Sequence, residues 1–193
     1  MDVAAVIGLG NPGSKYAATR HNVGFHVVAE LAQRWRAGPW KRQFRSAVAK
    51  AANGLLLIQP RTYMNDSGEA FLALCSGARL LPAQCLVVVD DVELPLGQLR
   101  LRERGGPGTH NGLRSIVGAV GEAFPRLRVG ICGEHPWDDL ADYVLATFDA
   151  EERELAAAMT ARAADCVDSV LRVGLSRTAS LFNATPTSLT DPT

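Results

Sequence analysis

Asn11-Pro12-Gly13 and Thr19-Arg20-His21-Asn22 follow closely on the first apolar run of the chain, Val3 to Leu9. Histidine is the one side chain whose ordinary pKa lets it act as a base near neutral pH. Asparagine offers both a donor and an acceptor without adding charge. A neutral base among carboxamides suits attack of water on a carbonyl. Three further loop clusters carry matching groups: Tyr63-Met64-Asn65, Asp90 with Asp91 and Glu93, and Thr109-His110-Asn111-Gly112. Asp90 closes a strongly β-branched run, Leu86 to Val89, and ligand-facing groups collect at the C-terminal ends of strands in open α/β sheets. Singly, each cluster has an ordinary explanation, Asn65 as a helix cap for instance. Together they point to one site.

Other chemistries fit less well. There is no G-x-S-x-G elbow and no cysteine beside a motif histidine, so water rather than a side chain is the expected nucleophile. Asp90, Asp91 and Glu93 have no clustered histidine partner in sequence, so no metal is expected. Gly8-Leu9-Gly10-Asn11-Pro12-Gly13 matches the dinucleotide pattern G-x-G-x-x-G. Against that reading, Pro12 lacks an N–H, the next helix starts near Val23, about ten residues late, and Glu30 falls in mid-helix instead of ending a second strand. His26, one turn beyond Asn22, reads as structural, and His135 in an acidic loop is assigned no role.

The elements that must position these groups alternate between strand and helix. Val3 to Leu9 reads as a buried strand. Val23 to Arg36 reads as an amphipathic helix, with Val23, Val27, Leu31 and Trp35 on one face, and Gly38-Pro39 ends it. Ala47 to Ala52 and Leu55 to Gln59 read as strands joined at Asn53-Gly54. Asp66 and Ser67 are N-cap candidates for a helix to about Ser76. Leu86 to Val89, Gln98 to Arg102 and Leu127 to Ile131 read as further strands. Helices are expected over Asn111 to Val120, Ala150 to Val173 and Ser176 to Asn183. The pattern predicts an α/β fold, a single three-layer domain with a mixed, mostly parallel twisted sheet flanked by helices. That domain spans residues 1–184, and residues 185–193 are expected to form a disordered tail.

The 193 residues are 47% hydrophobic and 21% charged, ordinary for a chain with a real core. No apolar run approaches the roughly 18 residues that span a bilayer, and Met1-Asp2-Val3-Ala4 predicts no secretory signal. Four cysteines without a C-x-x-C pair predict reduced, mostly buried thiols in a cytoplasmic protein. Net charge is zero but segregated: +7 over residues 1–62, −4 over 63–99, +4 over 100–130 and −7 over 131–159. Two basic blocks of this kind suit a polyanionic partner as well as they suit ordinary solvated surface.

Taken in order, the motifs resemble the bacterial-type peptidyl-tRNA hydrolase family. They are Gly8 to Gly13, Tyr16, Thr19 to Phe25, Thr62 to Gly68, Asp90-Asp91, Leu94-Pro95, His110 to Leu113, Arg126 to Gly130, and Tyr143-Val144-Leu145 with Phe148. Thr109 and Cys132 depart from the family pattern, each standing where glycine is usual. The resemblance implies cleavage, without a cofactor, of the ester between a peptide and the 3′-terminal ribose of a tRNA. It implies His21 as base and Asp90 as its orienting partner. It also implies Asn65 and Asn111 as holders of the substrate and the developing oxyanion, and Asn11 as a catalytic-site contact near the N-blocked end of the peptide. Tyr16 and Tyr63 are expected at the tRNA end, with Asn22 and His110 among the substrate-binding residues. Arg100, Arg102 and Arg128 are expected at tRNA phosphates. The partner implied is peptidyl-tRNA alone, handled by a cytoplasmic monomer with no membrane or obligate protein partner. The competing reading is a binding module on the same scaffold without catalysis.

Overall fold

The computed structural model describes residues 2–133 and 138–184. The expected 185–193 tail, His135 and Trp137 lie outside them. Seven strands form one mixed sheet: β1 (Ala5–Gly8), β2 (Lys41–Gln43), β3 (Ser46–Lys50), β4 (Leu56–Pro60), β5 (Cys85–Pro95), β6 (Leu99–Arg102) and β7 (Arg126–Cys132), in spatial order β2-β3-β4-β1-β5-β7-β6. β4, β1, β5 and β7 run parallel, while β2, β3 and β6 add antiparallel edges. The parallel part is therefore the centre of the sheet, not most of its pairings.

Side chains alternate across the pleat, so each strand feeds two cores. Leu86 and Val88 face α1 (Val23–Arg34), α5 (Arg153–Val173) and α6 (Leu175–Phe182). Cys85, Val87 and Val89 face α2 (Ser67–Ala78) and α3 (Asn111–Val120). Helices on both faces of a parallel centre give the expected three layers. Val23, Val27 and Leu31 are fully buried, as their spacing predicts.

The Asn53-Gly54 turn joins β3 to β4, with Gly54 at φ +89°. Two elements escape the sequence reading. β2 is Lys41-Arg42-Gln43, exposed throughout, and carries no apolar signal because it is a charged edge. α4 (Leu140–Leu145) is only six residues long, capped by Asp139, whose carboxylate accepts from the N–H groups of Ala141 and Asp142. β5 also continues past Asp90 to Pro95, with a break in register after Asp91. Asp66 makes no side-chain cap; instead Ser67 donates its hydroxyl to Met64 O at 2.7 Å.

Two glycines of the G-x-G-x-x-G match, Gly8 and Gly10, serve close packing, while Gly13 adopts φ +107° in open space. A Cβ on Gly8 would lie 2.0 Å from Gly24 O, and one on Gly24 would lie 2.5 Å from both Leu9 N and Val88 O. Backbone thus rests on backbone where α1 meets β1 and β5. This contact sets the turn before α1, which carries His21, against the C-terminal edge of the sheet.

Candidate active site

Residues Arg20–Asn22 form one 3₁₀ turn running directly into α1, and His21 is 9% exposed. Its Nδ1 lies 2.9 Å from each oxygen of Asp90, on the adjacent central strand β5. A second imidazole reaches the same carboxylate: His110 Nε2 is 2.9 Å from Asp90 Oδ1. His110 is also the N-cap of α3, its Nδ1 accepting from Leu113 N–H at 3.2 Å. An acceptor role for Nδ1 places the proton of the neutral ring on Nε2, so His110 donates to Asp90. Asp90 in turn draws the His21 proton to Nδ1 and leaves His21 Nε2 with a free lone pair.

Asp90 is 2% exposed. Burial alone would push its carboxyl up; the facing charges of His110 and His21 and their hydrogen bonds outweigh that and hold it well below the usual carboxylate range. Among the described residues, His21, Asp90 and His110 also bring three possible metal-ligand atoms within 4.8 Å of one another. The fit to a metal is poor, because the Leu113 N–H occupies His110 Nδ1 and keeps the inward-facing Nε2 protonated.

The dyad opens into a cavity of about 660 Å³. Asn11 lines it, held on both sides. Its backbone exchanges two hydrogen bonds with the Asn22 carboxamide, at 2.8 and 3.0 Å, and its Oδ1 accepts from Met64 N–H at 2.9 Å. The Asn11 Nδ2 donors therefore face the cavity. Asn111 is ordered likewise: its Oδ1 accepts from Arg114 Nη1 at 3.4 Å, which leaves its amide nitrogen to donate. Asn65, Tyr63 and His110 also line the cavity, and α4 closes one side with Leu140, Val144 and Leu145.

Five expected substrate contacts sit elsewhere or are already engaged. Asn22 is 2% exposed, its carboxamide is taken up by the Asn11 backbone, and it positions rather than contacts. Tyr16 stands outside the cavity, edge-on to Tyr63 with ring centres 6.4 Å apart. Arg100 and Arg102 are exposed on the edge strand β6, directly across from Arg128 and Arg126, and do not line the cavity. Arg128 does line it, but is paired with Asp91 at 3.1 Å. The basic block also contains a buried member. Arg126 is 1% exposed, stacked at 3.9 Å on Phe124 and bound to the carbonyls of Gly105, Glu122 and Phe124; burial pushes it down to about 10.

Arg20 carries no sign of its role in the sequence. It is 3% exposed, pairs with Glu152 at 2.6 Å and Asp149 at 3.4 Å, and lies over the rings of Tyr143 and Phe148. It ties the His21 turn to α4 and the start of α5. The link of His110 to Asp90 was also missed. His26, as expected, serves structure, its Nε2 lying 2.7 Å from Ala17 O.

A carboxylate-supported imidazole ringed by oriented carboxamides at the edge of an α/β sheet is the equipment of a hydrolase that uses water. The family model for peptidyl-tRNA hydrolase matches residues 5–190. Peptidyl-tRNA hydrolase of Roseiflexus sp. (strain RS-1) is 47% identical over 186 residues, covering 94% of this chain and 86% of its own length. That of Aquifex aeolicus is 43% identical, covering 90% and 92%. The crystal structure of peptidyl-tRNA hydrolase from Acinetobacter baumannii superposes with a TM-score of 0.87 at 32% identity, covering 94% of this chain and 95% of that one. The chain belongs to the peptidyl-tRNA hydrolase family, and it is a hydrolase.

Proposed function

We propose that the protein hydrolyses the ester between a peptide and the 3′-terminal ribose of its tRNA, releasing free tRNA, and that His21 and Asp90 carry the chemistry. The observation that bears most weight is the 2.9 Å His21–Asp90 contact opening into a cavity lined by three asparagines. Asp90 accepts Nδ1–H, so Nε2 takes a proton from water as the water oxygen attacks the ester carbonyl. The Asp90 carboxylate stabilises the imidazolium that forms. Asn65 and Asn111 offer neutral donors to the substrate and to the oxyanion of the tetrahedral adduct. Collapse of the adduct breaks the acyl–oxygen bond, and the Nε2 proton goes to the departing ribose oxygen. Asn11 presents donors, which suit the carbonyl of an N-blocked aminoacyl group and oppose a free α-ammonium, itself only a donor. That contrast supports selection of peptidyl-tRNA over aminoacyl-tRNA.

Arg100, Arg102 and Arg128 are assigned to tRNA phosphates, with Tyr16 and Tyr63 towards the tRNA end. The reading places a monomeric enzyme in the cytoplasm; among the described residues no helix is long and apolar enough to cross a membrane. The test is release of tRNA from an N-acetyl-aminoacyl-tRNA by purified protein. His21→Ala is expected to lower turnover about 10²–10⁴-fold while the fold persists. Turnover by His21→Ala at the wild-type rate removes the base assignment, and absence of release by the wild type removes the activity.

A further inference from the structure

The +7 block over residues 1–62 is not accounted for by the catalytic site. Several of its charges are already committed: Arg20 to Glu152 and Asp149, and Arg34 to Glu30 and Asp165. Arg42, Arg45 and Arg61 converge instead on a groove of about 530 Å³ at the turn between β2 and β3, beside the residues that follow β4. Arg45 pairs with Glu69 at 3.0 Å, both side chains more than half exposed, and Asp66 is the other carboxylate of the groove. Among the described residues Arg42 and Arg61 have no carboxylate within ion-pair distance. An exposed edge strand is commonly charged to discourage pairing with other chains, and Lys41 fits that explanation. Arg61 does not, since it lies past the end of β4, an interior strand.

Three features distinguish the groove from ordinary charged surface. Thr62, between Arg61 and Tyr63, has a buried hydroxyl with no hydrogen-bond partner. The tight turn is held in a conformation its residues disfavour, with Phe44 at φ 51° and Arg45 at φ 54°. Packing fixes it there: the Phe44 ring lies where a Cβ on Gly77 would be 2.4 Å away. Third, Tyr63 is 57% exposed and lines both this groove and the catalytic cavity. Its edge-to-face partner Tyr16 carries Lys15 Nζ 4.6 Å from the ring centre. Aromatic faces flanked by unpaired cations are how single-stranded nucleic acid is held, bases on rings and phosphates on guanidinium groups.

We propose that the groove of Arg42, Arg45 and Arg61 is a second phosphate subsite, taking the RNA backbone just upstream of the 3′-terminal ribose that reacts in the adjoining cavity. It stands at the β2 edge of the sheet, and Arg100 and Arg102 stand on β6 at the opposite edge, so the two basic groups flank the central strands. This rests on the hydrolase reading above, but RNA binding can be measured without catalysis.

The experiment compares wild type with Arg42→Ala/Arg61→Ala, both exposed positions, in binding labelled deacylated tRNA by anisotropy across a salt series. The variant is expected to bind about 5–20-fold more weakly, with the slope of log K against log salt flatter by about one to two phosphate contacts. The same variant is assayed on N-acetyl-aminoacyl-tRNA, whose single residue is too short to reach past Tyr63, and KM is expected to rise. Unchanged affinity and slope overturn the subsite. So does an effect confined to substrates with longer acidic peptides, which makes the groove a peptide site. Loss of hydrolysis in the wild type with tRNA binding intact sinks the hydrolase reading and leaves the groove standing.

Discussion

His110→Ala separates two jobs held by one ring. The side chain donates Nε2–H to the buried Asp90 carboxylate and accepts Leu113 N–H as the cap of α3. A hydrogen bond to a charged, buried acceptor contributes about 1.5–3 kcal/mol, and a helix N-cap about 1 kcal/mol. Loss of both is expected to destabilise the fold by about 2–4 kcal/mol, read from urea unfolding. Asp90 would keep only His21, and the imidazole it orients would hold its geometry less firmly. Turnover on N-acetyl-aminoacyl-tRNA is therefore expected to fall about 10–100-fold, less than for His21→Ala. His110→Asn divides the effects: its short carboxamide can cap α3 but does not span the distance to Asp90. It is expected to regain about 1 kcal/mol of stability and little of the rate. Recovery of full turnover by His110→Asn, or wild-type kcat in His110→Ala, would refute the argument that Asp90 needs both imidazoles.

Arg20→Met keeps bulk between Tyr143 and Phe148 but removes a buried cation from Glu152, which is itself only 15% exposed; a loss of about 3 kcal/mol is expected in unfolding, and a change below about 1 kcal/mol would show the pair to be dispensable. The thiols differ in their surroundings. Hydrogen bonding from Cys85 pulls the half-buried Cys75 below its ordinary value, whereas burial pushes Cys166 up to about 12. Iodoacetamide is expected to modify Cys75 before Cys85 and Cys166 in the native protein, and equal labelling by mass spectrometry counts against this. The depressed Asp90 carboxyl takes up its proton later in the native than in the unfolded chain. Its stabilising contribution is complete above about pH 4 and is lost as pH falls through the native value. The stability gap between wild type and Asp90→Asn should accordingly hold steady down to about pH 5 and shrink in urea melts from about pH 4 towards pH 2, and a gap constant across that lower range would contradict the assignment.

Much of the site was legible because its residues sit at strand ends and helix starts, where short-range patterns are strongest. Val23, Val27 and Leu31 announce α1, and the β-branched run before Asp90 announces a central strand, so a meeting of His21 and Asp90 follows once β1 and β5 are neighbours. What stayed hidden depends on register between distant strands. Nothing local says that Asp91 lies beside Arg128, or that Arg126 points inward while Arg100 points outward. Both arginines belong to one basic block by composition, yet one is interior and the other solvated. His110 reads as a ligand contact because its cap and its carboxylate come from opposite sides, one close in sequence and one twenty residues away. α4 and β2 were missed for a different reason: each is too short and too exposed to impose a period.

The meeting of Gly8 and Gly24 has a mechanical consequence. With no side chain interposed, the first turn of α1 is seated on the sheet like a keystone, and the turn bearing the imidazole inherits the stiffness of the whole β-layer. The His21–Asp90 pair proposed to move the proton is thus seated on the most rigidly packed part of the fold. The opposite bank is built differently, from the short helix α4, which presents partly exposed leucines, Leu140 and Leu145, to the opening.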